Sequence, residues 1–333
     1  MKWFILMLPL LVVVSFAGKG QDARAADPQT PIRVGIIGLD TSHAVEFTRI
    51  LNDSGSADHV PGARVIAAYK GGSPDIQASA SRIEGFTTQL KEKWKLEIVP
   101  DIPTLCSKVD AILLLSVDGR KHLEQVKPVF AARKRVFIDK PLAASLADAR
   151  AIARLGAESG VPWFSCSSLR YQTAIQALKQ DSALGAILGC DVYSPSPTEP
   201  HHPDLFWYGI HGVEVLFTLM GPGCESVVRI YNPGTDVVIG RWKGGRIGTF
   251  RGIREGKDDY GAIAFGRDGI RASDPITGPP YAGMLREVVK FFQTGVPPLS
   301  VEEMLEIMAF MEAAELSKER SEEHVSLSEL ASP

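Results

Sequence analysis

From residue 32 onward the chain alternates between short unbroken apolar runs and longer stretches in which apolar residues recur every three or four positions. A continuous run suits a strand buried on both faces, and the three-to-four spacing suits a helix laid against it. Residues 32–37, 63–69, 96–100, 111–116 and 135–139 read as strands; the helices between them are 44–51, 81–94, a stretch carrying His122, and 146–160. Strictly alternating strands and helices imply a doubly wound, mainly parallel sheet. After residue 161 the pattern changes. Short segments at 226–232, 236–242, 246–252, 262–266 and 269–273 alternate apolar with polar residues between Gly, Pro, Asn and Asp turns, and two helices close the chain. The pattern predicts an α/β protein: a Rossmann-like domain over 31–160, then an α+β domain over 161–325 with an open, mainly antiparallel sheet.

The first 25 residues stand apart. One lysine, an apolar run from Trp3 to Ala17 and the Ala23-Arg24-Ala25 triplet read as a secretory leader cleaved near Ala25, so export to the periplasm is expected. The apolar run is short for a membrane span, and no stable span is expected after cleavage. The balance of 36 basic and 39 acidic residues, net charge −3, gives no bias toward nucleic acid. A small molecule is the expected partner. The four cysteines lack C-x-x-C spacing and read as buried free thiols.

The candidate chemistry gathers where the parallel strands end, because ligands of such sheets sit beyond the strands' carboxyl ends. The first strand turns through Gly35 and Gly38 into Asp40, Thr41, Ser42 and His43. Aligned on Gly38, a G-x-G-x-x-G dinucleotide turn would need glycine at Asp40 and His43. A side chain at the second position fills the space of the pyrophosphate, and a carboxylate there opposes its charge. Asp40, Thr41 or Ser42 can equally cap the helix. The second strand ends in Lys70-Gly71-Gly72-Ser73 rather than in the acid that takes the ribose of NAD. Lys70 and Ser73 suit a 2′-phosphate, so NADP is slightly favoured over NAD; an ordinary glycine turn is the alternative. Ser116, Asp118, His122, Asp139 and Lys140 complete this edge.

With those motifs in order, the chain resembles the glucose–fructose oxidoreductase/inositol dehydrogenase-like (Gfo/Idh/MocA) family. IRVGIIG resembles its first strand and turn, SVDGRKHLEQ its TPNxxHxE segment with His122 at the family's His, and VFIDKPLAAS its E-K-P motif with Asp139 for Glu. SSLRYQTAIQALK and GAILGCDVY resemble the entry into its second domain. The resemblance implies an active-site lysine at Lys140, its backbone fixed by Pro141, and an arginine at Arg170. It also implies a G-x-H-x-x-D segment with His211 as general acid or base and Glu214 at the Asp position. The Asp that the family carries four residues before this His is Trp207 here; a Trp can stack on a sugar ring but takes no proton. Asp204 is the nearest replacement. His201, His202, Asp204, His211 and Glu214 match no compact metal-ligand spacing, so no metal is expected. Arg251, Arg254, Lys257 and Tyr260 read as solvated turn residues that might alternatively reach a substrate.

Two functions follow. The first is an NAD(P)-dependent oxidoreductase acting on a sugar or cyclitol hydroxyl. The second is an exported, non-redox relative, a carbohydrate lyase, hydratase or binding protein, that has lost normal dinucleotide binding. In either case the second sheet is a candidate surface for a homo-oligomer.

Overall fold

The computed structural model describes Met1 and residues 30–331 except 277, 279 and 280; the expected leader and its cleavage site lie outside the described residues. The first sheet contains β1 (Ile32–Ile37), β2 (Ala63–Tyr69), β3 (Glu97–Val99), β4 (Ala111–Leu114), β5 (Arg135–Asp139) and β6 (Trp163–Cys166). Their order is β3-β2-β1-β4-β5-β6, all parallel, which is the doubly wound arrangement anticipated from the apolar runs. β1, β4 and β5 are almost wholly buried because α1 (Ser42–Asn52), α2 (Gln77–Ala80), α3 (Ile83–Trp94), α4 (Ile102–Lys108), α5 (His122–Ala131) and α6 (Leu146–Ser159) alternate with the strands. The sheet runs past residue 160: β6 pairs with β5, so the expected boundary falls one strand too early.

Gly35 was a candidate cofactor residue. Its missing Cβ instead admits Leu105 of α4, whose nearest atom would lie 2.9 Å from a β-carbon there. That glycine serves helix packing.

The second sheet has the order β12-β11-β7-β10-β9-β8-β13, from β7 (Ile187–Pro195), β8 (Cys224–Asn232), β9 (Thr235–Trp242), β10 (Ile247–Ile253), β11 (Gly261–Gly266), β12 (Ile270–Ala272) and β13 (Val325–Ser326). Only β7 and β10 pair in parallel, so the sheet is mainly antiparallel as expected. α7 (Thr173–Gln180) leads into it, and α8 (Ile210–Met220) covers its inner face. α9 (Tyr281–Thr294) returns to α1 and β5, and α10 (Val301–Glu319) lies on both β8 and α6. The two sheets therefore share one compact unit. All four cysteines are buried free thiols, and no helix among the described residues is long and apolar enough to cross a membrane.

Candidate active site

The site begins with a turn that closes on itself. Gly38 has φ +92°, and a β-carbon there would lie 2.3 Å from Ser116 N, so only glycine permits β1 to turn against the end of β4. Leu39 N donates to Lys70 O at 2.9 Å, which zips the turn to the end of β2. Thr41 caps α1, its hydroxyl accepting from His43 N at 3.3 Å. Asp40 is fully buried; its carboxylate accepts from Val117 N at 3.1 Å and from Ser79 Oγ at 2.6 Å. Ser79 Oγ in turn accepts from Ser73 N at 2.8 Å, and Ser73 Oγ donates to Asp118 at 2.6 Å. Burial pushes the Asp118 carboxyl up, but Arg120 and Ser73 outweigh it and hold it below the ordinary range. Arg120 then reaches Asp75 at 2.8 Å.

This hydrogen-bond chain fastens residues 71–80, including the short helix α2, across the turn after β1. Gly71 sits on Gly38: a β-carbon on Gly71 would be 3.3 Å from Gly38 Cα. A dinucleotide's pyrophosphate belongs beside that turn. In this arrangement the chain's own residues 71–80 lie against the turn that such a pyrophosphate would approach. Of the two residues that suited a 2′-phosphate, Lys70 is ion-paired with Glu84 at the surface and Ser73 is buried on Asp118. His202, on the loop after β7, is buried near Asp118 and Arg120 and packs against Trp207 with the rings tilted by 58°.

Beside the closed groove lies a cavity of about 490 Å³ lined from both sheets' elements. Thr41, Ser42 and His43 reach it from the start of α1, Lys140 from the end of β5, and Trp207, Tyr208 and His211 from α8 and the π-helical turn before it (Leu205–Gly209). Tyr260 and Tyr281 complete a largely aromatic wall. The Lys140–Pro141 peptide is cis. Asp139 pairs with His43 rather than with its lysine neighbour, and no ion pair or hydrogen bond engages Lys140 Nζ among the described residues. His211 Nδ1 shares a hydrogen bond of 2.7 Å with Ser167 Oγ. Burial first, then the positive charge of Lys140, holds the His211 imidazolium well below its ordinary pKa of 6.5, so this ring is neutral at pH 7.

Several expected site residues are placed elsewhere. Arg170 and Glu214 do not line the cavity: Arg170 joins Glu214 and Glu303, each at 2.8 Å, in a buried cluster linking the segment after β6, α8 and α10. Asp204 is held by Arg229 at 3.1 Å and by Lys318, so it is no substitute for the missing family Asp. Arg229 is fully buried and carries that second network with Asp236 and Glu315. His122 is buried between Ser116 O and Leu142 O, at 2.8 and 3.1 Å, and braces the turn after β4. Ser116 lies under Gly38 with its hydroxyl unpartnered. Among the described residues no three His, Cys, Asp or Glu side chains form a metal-sized group. The residues sequence reasoning missed are Tyr208 and Tyr281. Tyr281 follows a loop nearly 240 residues after α1 begins, and no local pattern connects the two.

A six-stranded doubly wound sheet, a second mixed sheet, and a cavity at the strands' carboxyl ends define a Rossmann-type fold of two-sheet construction. Residues 32–166 match the model of the NAD-binding Rossmann fold of the Gfo/Idh/MocA oxidoreductase family. The protein YceM of Salmonella typhimurium, which carries an oxidoreductase designation, is 27% identical over 126 residues; the match spans 38% of this chain and 41% of that relative. Among solved structures, the myo-inositol dehydrogenase of Lactobacillus casei with NAD(H) and myo-inositol superposes with TM-score 0.71 at 18% identity, covering 89% of this chain and 97% of that one. The scyllo-inositol dehydrogenase of the same organism gives TM-score 0.72 at 16% identity, covering 90% and 100%. These likenesses are of fold.

Two outcomes follow from the site. NAD⁺ and NADP⁺, titrated by calorimetry, are expected to bind the native chain weakly, and Asp40→Gly is expected to tighten binding about tenfold or more, since removing an anion from beside a phosphate is worth roughly 1–4 kcal/mol. Equal or weaker affinity in the variant would show that this latch does not obstruct the groove. Second, burial lowers the pKa of His122, His202 and His211 below 6.5. The unfolded chain takes up protons at these sites as pH falls through 6.5 while the folded chain does not, so stability drops on acidification below that value. Each contributes up to ~1.4 kcal/mol per pH unit until its own folded pKa is reached. Urea melts at pH 7.5, 6.5 and 5.5 read this slope, and a flat profile contradicts it.

Proposed function

We propose that this chain is an NAD(P)-linked oxidoreductase acting on a secondary hydroxyl of a sugar or cyclitol. The observation that carries the reading is the convergence of an unpaired lysine, Lys140, and a neutral histidine, His211, on one cavity at the carboxyl edge of a Rossmann sheet. Its volume, about 490 Å³, lies in the range of small-molecule sites. The inositol dehydrogenases of the same fold support the cyclitol assignment, and no relative supports the non-redox alternative.

The chain's own groups divide the work. Trp207, Tyr208, Tyr260 and Tyr281 offer ring faces and hydroxyls to a polyol. Tyr260 donates to Tyr208 at 3.2 Å, joining two of them, and burial raises the Tyr281 pKa to about 12, so it stays a neutral donor. Lys140 Nζ hydrogen-bonds the reacting oxygen and stabilises negative charge as it develops there. His211, neutral and anchored on Ser167, holds the same hydroxyl. Export by the leader over 1–25 is part of the proposal, as is self-association through the outer face of the second sheet, where Leu188, Tyr193, Ile230, Ile247 and Ile263 are exposed.

With a panel of inositols and aldoses and either NAD⁺ or NADP⁺, the mature chain is expected to reduce dinucleotide, and Lys140→Ala is expected to lower kcat by two to four powers of ten, on the order of the usual loss of an electrostatic or acid–base group. A Lys140→Ala variant as fast as the native chain removes that lysine from the mechanism, and no turnover on the whole panel by the native chain overturns the oxidoreductase reading. For the exposed face, light scattering is expected to give a dimer or larger, and Ile247→Lys with Ile263→Lys to return it to the monomer. A native chain that is monomeric at tens of micromolar would remove this surface as an interface.

A further inference from the structure

His43 occupies the third glycine position of the dinucleotide turn, yet its environment is that of a working imidazole. The ring stacks on Phe47 with centroids 4.8 Å apart and planes 19° from parallel, and Tyr281 meets both rings in T-shaped contacts, 4.9 Å from His43 and 5.3 Å from Phe47. Nδ1 donates to Asp139 Oδ2 at 2.5 Å. Asp139 is 2% exposed and its Oδ1 has no partner, so His43 is the group that answers its charge. This contact fixes the proton on Nδ1 and leaves the lone pair on Nε2. No described residue bonds Nε2, and the ring lines the cavity. A carboxylate behind one imidazole nitrogen and an open site before the other is the arrangement that lets histidine accept a proton and hold it.

The two cavity histidines differ in what stands behind them. His211 has a neutral hydroxyl on Nδ1 and the cation of Lys140 close by, so a proton on it would add a second buried cation. His43 has a buried carboxylate. Burial pushes the Asp139 carboxyl up, but His43 and Lys140 outweigh it and keep it ionised. The groups facing His43 are Asp139 and Lys140 from the end of β5, His211 and Tyr208 from α8 and its preceding turn, Tyr281 from α9, and Glu46 one turn along α1. Pairs of titratable groups whose surroundings separate them in this way mark the division between proton acceptor and neutral partner.

We propose that His43 is the proton-transfer residue of this cavity, with Asp139 as its positioning residue, and that His211 stays neutral and orients the ligand hydroxyl. In the step assigned to it, the ligand O–H bond breaks and the proton forms the Nε2–H bond, giving an imidazolium compensated by Asp139; the reverse step returns it. The proposal rests on the reading of the cavity as a hydroxyl-handling site.

The test uses the mature chain labelled with ¹⁵N-histidine, followed by NMR from pH 5 to 9. The expected result is a neutral His43 with its proton on Nδ1, protonating at higher pH than His211, and a fall in its midpoint by one pH unit or more in Asp139→Asn. Protonation of His211 before His43, or a His43 midpoint unmoved in Asp139→Asn, overturns the proposal whatever the substrate proves to be. On a polyol that the native chain oxidises, His43→Gln is expected to lower kcat by about 10²–10⁴ with KM little changed. The fall in rate on the acid side of the pH profile should vanish with it, and Asp139→Asn should move that limb to lower pH. A His43→Gln variant within twofold of native kcat also overturns the proposal. Failure of the native chain to oxidise any polyol counts against the oxidoreductase reading alone, and the NMR result then decides the role of His43.

Discussion

The buried carboxylate of Asp40 is the constraint around which this molecule is arranged. A carboxylate taken out of water is costly unless it is hydrogen-bonded, and Asp40 meets that demand with Val117 N and Ser79 Oγ. Val117 follows β4, and Ser79 lies in the crossover after β2. Satisfying one side chain therefore joins three connections at the carboxyl edge of the sheet. The same edge is where a doubly wound fold usually opens to its ligand. The fold keeps its strand order while its most familiar binding surface is covered from within.

The consequence is a displaced centre of chemistry. With the turn after β1 sealed, the open space lies toward the second sheet, where α8 and the aromatic wall meet Lys140 and the start of α1. The buried ion pairs outside that space fix its walls. Arg170 ties the exit of β6 to α8 and α10, and Arg229 ties β8, β9 and α10 to the loop that enters the π-helical turn. Removing one partner from such a network leaves an uncompensated charge and typically costs about 3–5 kcal/mol. These arginines and acids hold the site's geometry without touching its contents.

Polar residues at the strand ends thus fall into two groups that look alike in a linear reading. Asp118 is held by Ser73 and Arg120, Asp204 by Arg229 and Lys318, and Glu214 by Arg170. Lys140, His211 and His43 line the cavity. The distinction depends on which side chains find partners across long sequence separations: His43 meets Asp139 across 96 positions, and Arg170 meets Glu303 across 133.

The sequence by itself determined the order of elements and the parallel and the mainly antiparallel sheet, because periodicity and turn chemistry are local and repeat along the chain. It also marked Gly38, Lys140 and His211, whose motifs span a few residues each. Only the tertiary structure decided that Asp40 is buried on Val117 N and Ser79 Oγ, that Gly35 serves a helix, that Asp204 belongs to Arg229, and that His43 pairs with Asp139. Hydrogen-bond partners and burial are set where distant segments meet, and the spacing of residues within any one segment carries no record of that meeting.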